Sequence, residues 1–179
     1  MPMQKKFRRG FTLIELTMVI VLVAVLSAVF FIRYTGSTDF VLDNASKRMA
    51  SDLRYMRSLA VNMSMPHGIT FLKNNPADPP FFAYQPRYRD DTGTKDYEDP
   101  ARIRPVILEE QYGADLDGTV YRSEGTDPVG EIVFSFDGKP YSGFGMQDLF
   151  KDYVRITFFR GSKQKTVVVY PNSGEVKIE

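Results

Sequence analysis

Arg8-Arg9-Gly10-Phe11-Thr12-Leu13-Ile14-Glu15-Leu16 opens an apolar run from Phe11 to Ile32 in which the only polar side chains besides Glu15 are Thr12, Thr17 and Ser27. As a helix, about 22 residues reach roughly 33 Å, enough to cross a bilayer core. A carboxylate inside such a helix costs on the order of 2.5–3.5 kcal/mol to insert, so Glu15 needs a partner and reads as a functional residue. Lys5, Lys6, Arg8 and Arg9 stand before the run and only Arg33 directly after it. That bias keeps the short N-terminus cytoplasmic and sends the rest of the chain across. A secretory signal carries its small-residue cleavage site beyond the apolar core, whereas here Gly10 lies between the charges and the run. Cleavage after Gly10 leaves the helix attached and frees an amine on Phe11. That amine lies about one helical turn from Glu15 and supplies a cationic partner in a low-dielectric layer.

Gly10-Phe11-Thr12-Leu13-Ile14-Glu15, with its basic leader and apolar run, resembles the processing site of type IV prepilins and pseudopilins. The resemblance implies that a prepilin peptidase cuts between Gly10 and Phe11 and methylates the new amine. It implies that the helix enters a filament core, with Glu15 pairing with a terminal amine to fix axial register. Major pilins often carry a proline at the end of the apolar half, where this chain has Ile32.

Beyond the run, Leu42, Ala45, Met49, Leu53, Met56, Leu59, Ala60 and Met63 recur at three- and four-residue steps, with Asp43, Lys47, Arg48, Asp52, Arg54 and Arg57 between them. This predicts an amphipathic helix whose stripe packs on the domain's own sheet. A bend is expected near Thr35-Gly36-Ser37, and Pro66-His67-Gly68 is expected to stop the helix. Short β-branched and aromatic runs follow, predicting strands at Gly68–Lys73, Ile103–Glu110, Gly130–Phe136, Asp152–Phe159, Lys165–Tyr170 and Glu175–Ile178. Arg160-Gly161-Ser162-Lys163 and Pro171-Asn172-Ser173-Gly174 read as turns around the last pair. The fold class is therefore α+β, a long N-terminal helix with a transmembrane half and an amphipathic half, packed on a mostly antiparallel sheet. The divisions are a leader at 1–10, a membrane and filament-core helix at 11–32, an amphipathic helix at 33–65, and an extracytoplasmic β-rich domain at 66–179. Residues 74–100, rich in proline, tyrosine and acid, are expected to form a long loop.

Composition narrows the function classes. Of 179 residues, those outside leader and membrane helix make one modest domain, with no room for a second. Loss of the four leader charges takes the formal net charge from +1 to −3, which gives no global nucleic-acid footprint. There are no cysteines, hence no disulfide framework and no thiolate metal site.

Catalytic patterns are scarce, and the chain is read as a non-enzyme without cofactor or metal. His67 is the only histidine and is expected to cap or pack at the helix end. Ser162 and Lys165 match a serine–lysine spacing but fall in a predicted hairpin. The glycines of Gly138–Gly145 lack the strand-to-helix setting of a nucleotide loop and read as a turn. Asp90, Asp91, Asp96, Glu98 and Asp99 gather carboxylates of the kind calcium takes, but without EF-hand spacing and among Arg87, Arg89 and Lys95, which suits a solvated loop. Arg160, Lys163 and Lys165 form a small basic group near the terminal turn, opposed by Glu175 and Glu179.

Three blocks extend the resemblance: Ala50 to Val61, Ile132-Val133-Phe134-Ser135-Phe136-Asp137-Gly138, and Gly174-Glu175-Val176. They resemble the H-type minor pseudopilins and the related FimT and FimU minor pilins. Family members often have arginine where Glu175 stands, and the 74–100 segment is atypical. The compact C-terminal calcium loop of the major pseudopilin is not found. The resemblance implies a structural subunit of a type II secretion pseudopilus or a type IV pilus. Its partners would be prepilin peptidase, other minor and major subunits and an inner-membrane assembly platform. It implies anchorage in the bacterial inner membrane with the C-terminal domain periplasmic, followed by incorporation into a filament. The alternative is a filament-tip receptor for DNA or another ligand, with Arg160, Lys163 and Lys165 as its contacts.

Overall fold

A 51-residue helix, α1 (Leu13–Met63), is followed by β1 (His67–Leu72), β2 (Pro80–Phe81), β3 (Ala83–Asp90), β4 (Gly93–Asp96), β5 (Val106–Ile107), α2 (Leu108–Tyr112), β6 (Asp117–Arg122), β7 (Glu131–Phe134), β8 (Pro140–Tyr141), β9 (Val154–Arg160), β10 (Lys163–Val169) and β11 (Val176–Ile178). The structure is a computed structural model that describes residues 12–73, 80–97, 104–113, 116–122, 128–146 and 148–179, without the side chains of 28–37. α1 continues through Thr35-Gly36-Ser37, where the bend is expected, and only the side chains there lie outside the described residues. The chain divides into two units between Thr38 and Asp39.

In the second unit the helical stripe is buried as its spacing predicts: Leu42, Ala45, Met49, Leu53, Met56 and Ala60 are each at most 2% exposed. Leu59 is half-buried against the core, and Met63, at the helix end, is exposed. Ser46 is also buried; its hydroxyl donates to the Leu42 carbonyl at 2.7 Å, which satisfies it within the helix. The helix stops at Met63, before the predicted Pro66-His67-Gly68, because Ser64 turns left-handed at φ 53° and Pro66 cannot continue it. His67 and Gly68 instead begin β1.

There are two sheets rather than one. The first runs β4-β3-β1-β7-β8, with β5 also on β3; the second runs β11-β10-β9-β6-β2; every pairing is antiparallel. One core joins the helical stripe to Ile69, Tyr84, Ile132 and Phe134 of the first sheet and Val120, Ile156, Phe158 and Val167 of the second. The α+β class holds, and the fold places both sheets around the amphipathic half of α1.

The expected loop at 74–100 is corrected: within it β3 and β4 form a hairpin, and β2 joins the second sheet. Its prolines disguised it. Pro86 lies opposite Ile69, and the neighbouring hydrogen-bonded pairs turn its backbone nitrogen away from β1. On that far edge β4 covers 87–90 and β5 covers 83–84, so the missing N–H falls in the gap between them. The strand expected at Ile103–Glu110 is shorter and ends in a helix, for only Val106–Ile107 pair. Leu108-Glu109-Glu110-Gln111-Tyr112 are good helix formers, with Leu108 buried and two acids favoured in the first turn. Ile103 lies outside the described residues. The β9–β10 and β10–β11 hairpins form about the turns expected from the sequence.

Candidate functional site

The helix start is the first candidate. The Glu15 amide donates to Thr12 Oγ1 at 3.3 Å and the Leu16 amide to the Thr12 carbonyl at 3.1 Å, so Thr12 caps α1 and Glu15 occupies its first turn. Thr12-Leu13-Ile14-Glu15 is a capping-box spacing, a signal that the sequence carries. Glu15 thus has a local role: its charge lies where the helix dipole favours an anion. Gly10, Phe11 and the leader charges Lys5, Lys6, Arg8 and Arg9 lie outside the described residues.

From Thr12 to Ser27 every residue is exposed, with Leu13 at 80% and Leu26 at 53%. An apolar helix exposed on all faces is one whose cover comes from outside its own fold. Among the described residues no helix is long and apolar enough to cross a membrane. Phe11 and the side chains of 28–32, which belong to the run read above, lie outside those residues.

In the second unit the basic group is drawn to helix carboxylates. Lys163 Nζ meets Asp39 at 2.7 and 2.8 Å, and Lys165 Nζ meets Asp43 at 2.5 Å, where Lys47 joins it at 2.5 Å. The hydrogen bond from Lys165, then that from Lys47, holds the Asp43 carboxyl below its ordinary range. Arg160, half-buried, ends β9. Two of the three basic residues considered for nucleic acid therefore tie β10 to α1. Lys165 is held by Asp43 and not by Ser162, which sits in the hairpin turn.

The acidic cluster is split into pairs, Lys95–Asp90 at 2.7 Å and Arg87–Asp96 at 2.6 Å, while Glu98 and Asp99 lie outside the described residues. Among the described residues no three acidic or histidine side chains are placed to hold a metal. His67 is 1% exposed, donates from Nδ1 to the Met65 carbonyl at 2.7 Å, and stacks 6.0 Å from Tyr88. Burial lowers its pKa against the opposing effect of that hydrogen bond.

Sequence reasoning missed the polar ties between helix and sheets. Tyr84, buried in β3, donates to Asp52 Oδ2 at 2.7 Å. Burial raises the Asp52 carboxyl, with the Tyr84 hydrogen bond pulling the other way, and burial pushes the Tyr84 phenol far up. Arg54 and Arg57, which lie between the apolar positions of α1, reach the Val176 carbonyl at 2.7 Å and the Gly138 carbonyl at 3.4 Å. Gly174 completes that corner. Its φ is +62°, and a Cβ there would stand 2.1 Å from the Gly138 carbonyl oxygen.

Residues 5–31 match the prokaryotic N-terminal methylation motif. The minor pseudopilin EpsH of the Vibrio cholerae type 2 secretion system superposes with a TM-score of 0.55 at 10% identity, covering 77% of this chain and 95% of that one. A second EpsH structure gives 0.57 at 8% identity over 77% and 92%. The Pseudomonas aeruginosa type IV minor pilin FimU gives 0.51 at 16% identity over 77% and 92%. The fold is pilin-like. No curated protein sequence matches the chain.

Proposed function

We propose that this chain is a minor pilin-like structural subunit of a type II secretion pseudopilus or type IV pilus. It is held in the bacterial inner membrane before assembly and incorporated through its N-terminal helix. The observation that carries this reading is the apolar helix, exposed on every face from Leu13 to Leu26, that follows a methylation motif and leads into a pilin-like domain. Such a surface is unfavourable in water and requires lipid first and other subunits later. Prepilin peptidase is the processing partner, Gly10 and Phe11 the cleavage pair, and Glu15 the register residue. The similarity to EpsH and FimU supports minor subunits and their assembly platform as further partners.

The test is the mass of the mature N-terminus, from a host with active prepilin peptidase. A chain starting at methylated Phe11 is expected, and an intact Met1 start overturns the reading. Gly10→Leu should abolish processing. Glu15→Leu should insert as well as wild type or better, since it removes a charge from an apolar helix, yet fail to enter filaments. Normal incorporation of that variant refutes the register role.

A further inference from the structure

Lys163 and Lys165 lie two residues apart on β10, and their partners Asp39 and Asp43 lie four apart on α1. The spacings match, since two strand residues advance about 6.7 Å and four helical residues about 6 Å. They also give a direction. Lys165 meets the later helix residue and Lys163 the earlier one, so the β9–β10 hairpin, with its turn at Gly161-Ser162, points along α1 toward the N-terminal side.

The surface at this end of the second unit is open. Leu42 is buried, but Phe40, about 200° away round the helix, is 67% exposed. Gly161, Ser162 and Lys163 at the hairpin turn are exposed as well. Arg160, at the end of β9, has no ion-pair partner among the described residues. Asp117, opposite Phe159, and Glu179, opposite Thr166, offset its charge, so both signs are present with little net charge.

Chain length decides what this surface meets. Asp39 lies seven residues beyond Ile32, the end of the apolar run. Seven residues span roughly 10 Å as a helix and at most about 25 Å fully extended, and the polar layer on each side of a bilayer core is about 5–8 Å deep. With the run in a bilayer, Asp39 and the Lys163 end of the hairpin are tethered close to the membrane surface whatever the angle of exit, at a local concentration that makes weak contacts count. An exposed aromatic ring among charges of both signs matches the headgroup layer, where polar groups of the lipid overlie acyl chains. We propose that Phe40 and the β9–β10 turn dock on the phospholipid headgroup layer of the membrane that holds the subunit before assembly. The proposal rests on the membrane anchorage read above and adds a contact that entry into a filament must break.

The chain contains no tryptophan, so Phe40→Trp, Ser162→Trp, Phe136→Trp and Leu22→Trp each give a single indole. Each full chain is reconstituted in vesicles of phosphatidylethanolamine and phosphatidylglycerol, with bromine as the quencher either near the headgroup or deep in the acyl chains. Phe136 is the control, 64% exposed but in the β7–β8 turn, whose Gly138 lies by Val61, 21 residues further along α1. Headgroup-proximal bromine should lower the emission of Phe40→Trp and Ser162→Trp by about twofold and leave Phe136→Trp unchanged. No quenching at Phe40→Trp or at Ser162→Trp, or equal quenching at Phe136→Trp, overturns the proposal. Leu22→Trp tells the two failures apart. If deep bromine quenches it while Phe40→Trp stays bright, docking alone is overturned; if deep bromine leaves it bright, membrane anchorage falls and docking with it.

Discussion

The two ends of α1 share one secondary structure and opposite surroundings. Between Leu13 and Leu26 apolar side chains point in all directions and all are exposed, whereas Leu42, Ala45, Met49, Leu53, Met56 and Ala60 keep to one stripe and are buried. The difference shows that helix formation does not determine what a helix packs against; the angular width of its apolar surface does. A stripe is satisfied by one neighbour, here the chain's own two sheets. A full apolar circumference needs cover on every side, from the core of a large protein, from lipid or from other helices.

The comparison can be broken first at the corner where α1 meets the C-terminal hairpin. Gly174→Val forces a β-branched residue to φ +62° and pushes a Cβ to 2.1 Å from the Gly138 oxygen. Left-handed strain and overpacking together should cost about 4 kcal/mol in denaturant unfolding. Stability within about 1 kcal/mol of wild type would show that the corner yields easily. A matched pair of helix truncations comes next. Leu53→Ala removes a fully buried side chain and should cost about 3 kcal/mol. Leu22→Ala removes an exposed one, 61% accessible, and should leave domain stability within about 0.5 kcal/mol while lowering filament incorporation. Equal unfolding costs for the pair would erase the distinction between the two ends.

Much of this was legible because hydrophobic period reports which surface is covered. Leu42, Ala45, Met49, Leu53, Met56 and Ala60 all appear in the stripe read from sequence, and the β9–β10–β11 strands follow from β-branched runs between glycine-bearing turns. The strand holding Pro86 was not legible, since proline argues against a strand unless its edge is known, and that edge is set by β4 and β5 elsewhere in the chain. The partners of Arg54, Arg57, Lys163 and Lys165 were not legible, because they lie 81 to 124 residues away. A spacing rule sees only neighbours. Thr12 was legible in principle, as the threonine of a capping box three residues before Glu15, but the apolar run drew the reading toward the carboxylate alone.

Thr12→Ala sharpens the comparison at the exposed end. Loss of the cap should cost about 1 kcal/mol of local helix stability, with little effect on the second unit. Hydrogen exchange at the Glu15 amide should then speed by about fivefold, and unchanged exchange would assign the helix start to something other than the cap.

The smallest effects concern pH and separate buried from exposed titrating groups in the second unit. His67 has its pKa lowered by burial, so the unfolded chain takes up a proton that folded His67 does not. Its contribution to stability is full above pH 6.5 and declines as pH falls below that value toward the folded pKa. Asp137 acts further down. Lys139, then Ser135, holds its carboxyl at about 2, so its contribution is present above the ordinary carboxylate range and is lost as pH falls through about 2. Asp52 opposes both, because its raised pKa means that acid relieves a partly buried charge. His67→Gln should flatten the stability curve just below pH 6.5, Asp137→Asn should flatten it between about 4 and 2, and Asp52→Asn should steepen the fall in the range where wild-type Asp52 takes up its proton. Denaturant midpoints measured from pH 8 to 2 check all three. A wild-type curve that stays level from pH 7 down to 5, unchanged by His67→Gln, would mean that His67 titrates in the folded chain as freely as in the unfolded one.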